Sequence, residues 1–289
     1  MTARSRIDAV ERAAARHRVP MGNGGTLAWR VWGAGSGRPP LLLLHGGNGS
    51  WLHWIANVEA LAGRFTVHVP DLPGLGESDA PDDLRDIWSV TSCMKTAFLA
   101  MLGDAGPVPV AGFSFGSMVA GHLAFQLPER IAAIALVGAG GLRLTRTPTD
   151  KLRRLLPDMD RATLEAEAQR NLALLMIHDP ARIDDIAIEM QIVNSLAART
   201  RSKKIGQQGV LTDILPRIAT PLCGIWGERD TTMYPHWAER VDFLNRVRPG
   251  LALETIGGAG HWVAYEAADR FNRLLPDLLC KASTSSPRS

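Results

Sequence analysis

One serine lies where a nucleophile could be held. Residues 110–116 read Val-Ala-Gly-Phe-Ser-Phe-Gly, which places Ser114 in a G-x-S-x-G motif. An apolar run precedes the motif and a helical pattern follows it, as the motif requires. A sharp strand-to-helix turn exposes the serine Oγ, and side chains at Gly112 and Gly116 would collide with the neighbouring strand and helix. The alternative is a glycine-lined turn with an idle serine.

A serine hydroxyl is a weak nucleophile, so it needs a base that an acid orients. His261 is the predicted base, because it follows the last apolar run in a glycine-built loop, Gly257–Gly260. His178 falls inside a helical insertion and His236 begins a helix. Both are therefore weaker candidates for the base.

The acid is predicted in the loop that follows the next-to-last apolar run. Asp230 is best placed, just past the turn Trp226-Gly227-Glu228-Arg229. Glu228 is the second candidate, and Asp242 is weaker because it falls within a predicted helix. A solvated loop acid is the alternative interpretation.

A second glycine-rich turn, His45-Gly46-Gly47, follows an earlier apolar run. His45 could serve as a base, but we expect its ring to hydrogen-bond the loop backbone and hold this turn. The N–H groups of Gly47 and Phe115 are the predicted oxyanion hole for a tetrahedral intermediate.

The residues around these turns predict a largely apolar substrate pocket. Phe113 and Phe115 flank the nucleophile, and Met118 follows one helical turn later. Core packing is the alternative role for each of them. The full set predicted to line the pocket is Gly46, Asn48, Phe113, Met118, Gln191 and Trp262.

Six apolar runs must position these residues, and each ends at a glycine-rich turn. Near-continuous apolar strands indicate a parallel sheet covered on both faces. Helical patterns over 117–127, 236–247 and 265–279 favour an open, doubly wound α/β sheet, which binds ligands at the carboxyl ends of its strands. The runs are Pro40–Leu44, Phe65–Val69, Val108–Ala111, Ile131–Val137, Leu222–Trp226 and Leu251–Ile256.

Residues 142–205 break this pattern. They contain no glycine, Phe, Trp or Tyr, and they hold 12 Lys+Arg against 9 Asp+Glu. Leucines at helical spacing, at 152–156 and at 164–175, predict amphipathic helices in an insertion between two core strands. The core is then 1–141 with 206–280, and 281–289 is predicted to be a disordered tail. A solvated helix face accounts for the basic charge; carboxylate binding by Arg182 or Arg199 is the alternative.

Composition sets the remaining expectations. The 289 residues are 46% hydrophobic and 21% charged, with net charge +3, which excludes collagen-like, coiled-coil and fully disordered chains. Three distant cysteines without a CxxC argue against a disulfide framework or zinc site and favour a reducing, cytoplasmic location. No apolar run approaches the ~18 residues of a membrane span. Residues 4–18 are expected to form a short solvated helix or a ragged terminus.

The expected partner is a small-molecule substrate, with no cofactor, metal, nucleic acid or membrane. Basic residues are not concentrated as a nucleic-acid groove requires. The Gly-Asn-Gly-Gly run at 22–25 precedes a strand and not a helix, so it is interpreted as a turn and not as a phosphate cradle. The sequence leaves open whether the chain forms a homodimer.

Taken together, these features resemble the α/β-hydrolase superfamily. The resemblance implies an eight-stranded, mostly parallel sheet with helices on both faces, and a cap over the site that corresponds to residues 142–205. It also implies the order nucleophile, acid, base. The matching positions are His45-Gly46-Gly47, the run from Asp71 to Ser78, Ser114, Asp230 and His261.

Within the superfamily, the chain resembles the meta-cleavage-product hydrolases, which cut a carbon–carbon bond in vinylogous diketo acids. Two positions depart from that family: Phe113 replaces the usual Asn, and Gln191 lies where a lid arginine is expected. Ester hydrolysis through an acyl-enzyme is therefore favoured, with carbon–carbon hydrolysis or a slow small-molecule sensor as alternatives. The residues that carry the likeness are Trp51, Asn57, Gly140, Gly141, Gly260, His261, Trp262, Glu266, Asp269, Phe271 and Asn272.

Overall fold

The computed structural model describes residues 2–22, 24–148, 150–206 and 210–284. Within these residues eight strands form one sheet in the order β1-β2-β4-β3-β5-β6-β7-β8. The strands from β4 to β8 run parallel, and β1 and β2 are antiparallel at one edge. The strands are β1 Ala15–Pro20, β2 Thr26–Trp32, β3 Pro40–Leu44, β4 Thr66–Pro70, β5 Val108–Phe113, β6 Ile131–Val137, β7 Leu222–Gly227 and β8 Ala252–Ile256.

This sheet confirms the predicted fold class. The six apolar runs correspond to β3–β8, whereas β1 was missed because most of its residues are exposed at the sheet edge and two of them are arginines. Residues 4–18 were expected to be a short helix or ragged terminus. The helix is present over Ala3–Arg12, and the first residues of β1, which were not expected, follow it.

Helices cover both faces of the sheet. Alternate residues of β3 show why: Leu42 and Leu44 enter one buried apolar cluster, and Leu41 and Leu43 enter the other. The two-residue period of a strand sends successive side chains to opposite faces, so both faces need cover. The helices are α1 Ala3–Arg12, α2 Val58–Ala62, α3 Ile87–Leu102, α4 Phe115–Gln126, α5 Arg161–Asn171, α6 Asp185–Ala197, α7 Ser202–Gly206, α8 Val210–Ile214, α9 Trp237–Val247, α10 Val263–Glu266 and α11 Ala268–Thr284.

The sheet reverses its strand order beside β3. The chain passes from β3 to β4 on one side and later places β5 on the other side. Ligands bind at such switch points, outside the carboxyl ends of the strands. The loop after β3 and the turn after β5 therefore meet where a site is expected.

Residues 142–205, which lie between β6 and β7 and which we call the lid, contain α5, α6 and all but the last residue of α7. A π-helical turn over Leu172–Met176 continues α5. The leucines at 152–156 were expected to be helical, but residues 150–156 form no helix. No helix among the described residues is long and apolar enough to cross a membrane.

The prediction of a disordered tail is wrong for its first residues. The helix α11 continues to Thr284, because its apolar face packs Phe271, Leu275 and Leu278 into the core. Residues 285–289, the rest of the predicted tail, lie outside the described residues.

Candidate active site

The turn between β5 and α4 holds Ser114 in a strained conformation. Its backbone has φ +50° and ψ −108°, which few residues with a side chain adopt. A Cβ at Gly112 would overlap the backbone of Gly116, and one at Gly116 would overlap the Leu44 carbonyl oxygen. The two glycines therefore let β5, α4 and β3 approach closely enough to form the turn.

Three predicted residues form a hydrogen-bonded line. His261 Nε2 lies 3.0 Å from Ser114 Oγ, and His261 Nδ1 lies 2.8 Å from Asp230 Oδ2. Since an ionised carboxylate only accepts, Nδ1 carries the proton that Asp230 accepts. Nε2 is then free to accept the Ser114 hydroxyl proton.

Asp230 is fully buried, and its second oxygen also has a donor. Oδ1 accepts the backbone N–H of Thr232 at 2.8 Å. Burial opposes ionisation of this carboxyl, but the His261 ring and the Thr232 hydrogen bonds hold its pKa below the ordinary value. The aspartate is thus charged at neutral pH and fixes the tautomer and orientation of His261.

The other acids and bases considered from the sequence lie elsewhere. Glu228 is half-exposed and accepts the N–H of Gly258 at 3.0 Å, and Asp242 lies within α9. His178 is exposed, and His236 caps the start of α9.

His45 is buried and holds its own turn. Its Nδ1–H donates to the Gly46 carbonyl at 2.8 Å, and its Nε2 accepts the Leu72 N–H at 2.8 Å. Both ring nitrogens are therefore occupied by loop backbone. Burial lowers the pKa of this ring, so it is neutral.

The turn after β3 leaves one backbone N–H without a partner among the described residues, next to the start of α4. The N–H of Gly46 donates to His53 Nδ1 at 3.2 Å, and the N–H of Asn48 donates to Ser202 Oγ at 3.1 Å. Between them, the Gly47 N–H makes no hydrogen bond within the described part of the chain. A Cβ at Gly47 would lie 3.7 Å from the Phe115 Cβ, so this donor is next to the start of α4.

The apolar residues predicted to line the pocket are buried around this centre. The Phe113 ring lies 5.0 Å from the His261 ring, and Trp262 stacks on Tyr265 at 4.3 Å. Met118 packs beside the Gly140–Gly141 turn, where the Gly140 N–H donates to the Ser114 carbonyl at 3.2 Å.

Gln191 lies on the lid helix α6 and is half-buried. Its side-chain amide donates to Ser195 Oγ, one turn later, at 3.2 Å. This hydrogen bond stays within α6 and does not join Gln191 to the residues around Ser114.

His53 is a buried neighbour of the centre that sequence reasoning missed. Its ring packs edge-on against Phe113 and Trp262, and its carbonyl accepts the Trp262 indole N–H at 2.8 Å. Burial, and then the neighbouring rings of His45 and His261, lower its pKa well below the ordinary value. Nothing in its spacing marks it, because it lies in a short helical turn that the strand and helix patterns skip.

The end of the lid is bound to the loop that follows β4. The Arg199 N–H donates to the Gly74 carbonyl at 2.8 Å, and the Arg199 guanidinium donates to the Ser78 carbonyl. Thr200 Oγ1 donates to the Pro73 carbonyl at 2.6 Å. Arg199 is therefore engaged with backbone, and Arg182 is exposed in a 3-10 turn.

The described residues contain no group of three or more His, Cys, Asp or Glu side chains placed to hold a metal ion. The side chains that meet at this centre are a serine hydroxyl, an imidazole and a carboxylate.

Comparison with known proteins places the fold in a family. A sequence model described as the alpha/beta hydrolase fold matches residues 39–184, half of the chain. The protein is an alpha/beta hydrolase. This alpha/beta hydrolase is 26% identical to a 2-hydroxy-6-oxononadienedioate/2-hydroxy-6-oxononatrienedioate hydrolase of Escherichia coli K12, over 89% of this chain and 93% of that one.

Solved structures show the same fold. A meta-cleavage product hydrolase from Pseudomonas fluorescens IP01 matches with TM-score 0.72 and 21% identity, over 92% of this chain and 98% of the other. A carboxylesterase from Bacillus subtilis matches with TM-score 0.70 and 18% identity, over 96% and 97%. The resemblance to meta-cleavage product hydrolases that was inferred from the sequence is therefore confirmed: such hydrolases are among the proteins similar to this chain.

Proposed function

We propose that this alpha/beta hydrolase is a serine hydrolase that cleaves small, largely hydrophobic carboxylic esters through an acyl-enzyme. The observation that carries the proposal is the continuous line from Ser114 Oγ through His261 to Asp230, with separations of 3.0 and 2.8 Å. A nucleophile, a base and an orienting acid in hydrogen-bond contact are the requirements for acyl transfer.

The reaction follows from this geometry. Ser114 Oγ attacks the ester carbonyl carbon while His261 Nε2 takes the hydroxyl proton. The oxyanion accepts hydrogen bonds from the N–H groups of Gly47 and Phe115, and Asp230 stabilises the imidazolium. His261 then gives its proton to the leaving alkoxide. Water, deprotonated by the same His261, releases the acid and restores Ser114.

The surroundings favour a neutral, apolar ester over a diketo acid. The centre is flanked by Phe113, Phe115 and Met118, which are buried apolar side chains. The lid arginine Arg199 is bound to loop backbone, and Gln191 offers an amide and no charge. A substrate carboxylate would thus lack the cationic anchor that a lid arginine provides.

The second candidate is hydrolysis of a carbon–carbon bond in a vinylogous diketone. The observation that favours it is similarity, at 26% identity over most of both chains, to a 2-hydroxy-6-oxononadienedioate/2-hydroxy-6-oxononatrienedioate hydrolase. The same triad would attack the ketone carbonyl, and the bond to the stabilised carbon would break in place of the ester bond.

The decisive experiment combines a fluorophosphonate probe with a substrate panel. We expect mass spectrometry to place the label on Ser114, and Ser114→Ala to abolish labelling and turnover of p-nitrophenyl esters. Ser36→Ala, at an exposed loop serine, is the control and should behave as wild type. Undiminished ester turnover by Ser114→Ala would refute the proposal.

The same panel separates the candidates. Faster turnover of a 2-hydroxy-6-ketodienoate than of any ester would favour carbon–carbon hydrolysis. A hydrolase fold used as a small-molecule sensor would label slowly and show no multiple turnover. Several turnovers per second on a small ester would exclude that third interpretation.

A further inference from the structure

We infer that Glu266 is a positioning residue that couples the lid to the placement of His261. The inference rests on the proposed role of His261 as the base. It concerns the contact between Glu266 and what we call the lid turn, residues 172–179, which lies between α5 and α6.

The Glu266 carboxylate accepts three backbone N–H groups. One belongs to Gly260, the residue before His261, at 2.7 Å from Oε2. The others belong to the lid turn: His178 N at 3.0 Å from Oε2 and Asp179 N at 2.7 Å from Oε1. The side chain is only 8% exposed, so water cannot easily replace these donors.

A second set of hydrogen bonds joins the lid turn to two loops, the one that carries His261 and the one that carries Asp230. The N–H of Trp262, the residue after His261, donates to the Met176 carbonyl at 2.7 Å. Thr231, the residue after Asp230, donates its hydroxyl to the Leu175 carbonyl at 3.1 Å. Gly260, through Glu266, and Trp262 are thus both connected to the lid turn. The loop that carries Asp230 is connected to it through Thr231.

The contact is also tight in space. A Cβ at Gly260 would lie 2.7 Å from His178 N and 3.1 Å from Glu266 Oε2. Displacing the lid turn would remove two of the three donors from a buried carboxylate and one acceptor from the Trp262 N–H. The His261 loop would lose support on both sides, so its alignment depends on a closed lid.

Glu228 supplies a matched control. Its carboxylate also accepts a glycine N–H in this loop, from Gly258 at 3.0 Å. Its side chain is 52% exposed, and none of its recorded bonds reaches the lid. The two glutamates therefore hold the same loop, but only Glu266 joins that loop to the lid.

The test compares Glu266→Ala and Glu266→Gln with Glu228→Ala. We expect Glu266→Ala to lower kcat on a small p-nitrophenyl ester about 10- to 100-fold with a smaller change in KM, because misplacing a catalytic group costs rate. The kcat of Glu266→Gln should fall between those of wild type and Glu266→Ala, since an amide has one acceptor oxygen and both carboxylate oxygens of Glu266 accept N–H groups. Glu228→Ala should stay within about twofold of wild type.

Hydrogen exchange gives a readout that a merely local role would not move. Glu266→Ala should lose amide protection both in the lid turn, at 176–179, and in the loop at 258–262. Glu228→Ala should lose it only near Gly258. Deprotection confined to one segment, or unchanged kcat in Glu266→Ala, would overturn the inference.

A lid-side variant covers the case in which Glu266→Ala does not fold. Asp179→Pro removes the N–H that Oε1 accepts and leaves Glu266 in place, and Asp179→Ala controls for loss of its side chain. We expect only the proline variant to lower kcat and to deprotect 258–262. If wild type fails to label at Ser114, the proposed function fails, while the exchange comparison still decides the coupling.

Discussion

The core edge that carries Ser114, Asp230 and His261 and the lid are built by different means. All 28 glycines lie outside residues 142–205. At the core edge, backbones approach so closely at Gly112, Gly116 and Gly227 that a Cβ would overlap backbone atoms. The lid reaches that edge through hydrogen bonds such as those of Thr200 and Glu266. The core thus fixes its geometry by backbone contact and the lid by replaceable polar contacts, which predicts different costs of mutation.

The largest effect should come from the chemistry of the core, with its backbone unchanged. Asp230→Asn keeps the shape of the acid but favours the wrong His261 tautomer, so we expect kcat to fall about 10⁴-fold. Steady-state kinetics on a p-nitrophenyl ester measure this, with Asp242→Asn in α9 as control. A loss below tenfold would show that Asp230 does not orient the base.

A Cβ at the core edge should damage the fold itself. In Gly116→Ala the new methyl would overlap the Leu44 and His45 carbonyl oxygens, which belong to backbone and cannot swing away. We expect a loss of about 4 kcal/mol or more in the free energy of unfolding, measured with urea.

Gly121→Ala, in the same helix, is the matched control for that loss. Its Cβ would meet the end of the Leu211 side chain at 2.6 Å, which can rotate, and alanine favours a helix interior. We expect a change within about 1 kcal/mol. Equal losses at the two positions would remove the distinction between backbone and side-chain crowding.

Acid should weaken the core before it weakens the lid. Burial lowers the pKa values of His45, His53, His68 and His122, all in the core, and that of His68 falls to about 4. An unfolded histidine titrates near ~6.5, so the unfolded chain binds more protons below that pH. The stabilisation is complete above ~6.5 and is lost as pH falls towards 4.

A histidine variant measures that acid sensitivity directly. For His68 the difference in pKa corresponds to about 3 kcal/mol over this range. We expect His68→Gln to unfold with a shallower dependence on pH between 6.5 and 4 than wild type. The exposed His178, in the lid, provides the control as His178→Gln. An identical slope in His68→Gln and wild type would contradict the buried, neutral assignment.

The sequence predicted that Ser114, Asp230 and His261 lie together at the core edge, because the signals that place them are local. Each of Ser114, Asp230 and His261 follows an apolar run and a glycine turn, so strand ends place them without knowledge of the packing. The contacts of His53, Ser202 and Glu266 could not be found this way, although Glu266 is among the residues that carry the family likeness. Ser202 bonds Asn48, 154 residues away, and Glu266 bonds His178, 88 residues away. His53 lies in a short helical turn that carries no strand or helix period.

A smaller effect should follow from loosening the lid where it touches the turn after β3. Ser202 Oγ accepts the Asn48 N–H at 3.1 Å and donates to Asn48 Oδ1 at 3.2 Å. The backbone of Asn48 has φ +48°. Ser202→Ala leaves that N–H unpaired, and we expect kcat to fall about tenfold, the effect of roughly one hydrogen bond. Thr200→Val, which loses a bond to Pro73 instead, should retain more activity; the reverse order would contradict this assignment.

The smallest effect should come from ion pairs on the outer face of the lid. Arg161 bonds Glu165 within α5 and Glu189 on α6, but its side chain is 56% exposed. Water already solvates such a charge, so Arg161→Ala should lower the free energy of unfolding by only about 0.5 kcal/mol. Arg30 differs, since its side chain is 2% exposed and pairs with buried Asp71. Removing Arg30 would leave the Asp71 carboxylate buried without a partner or water, so the loss of stability should be larger. Salt at roughly 0.5 M NaCl screens interactions between exposed charges. If the Arg161→Ala difference in the free energy of unfolding persisted at that salt concentration, the lid surface would be more tightly organised than its exposure indicates.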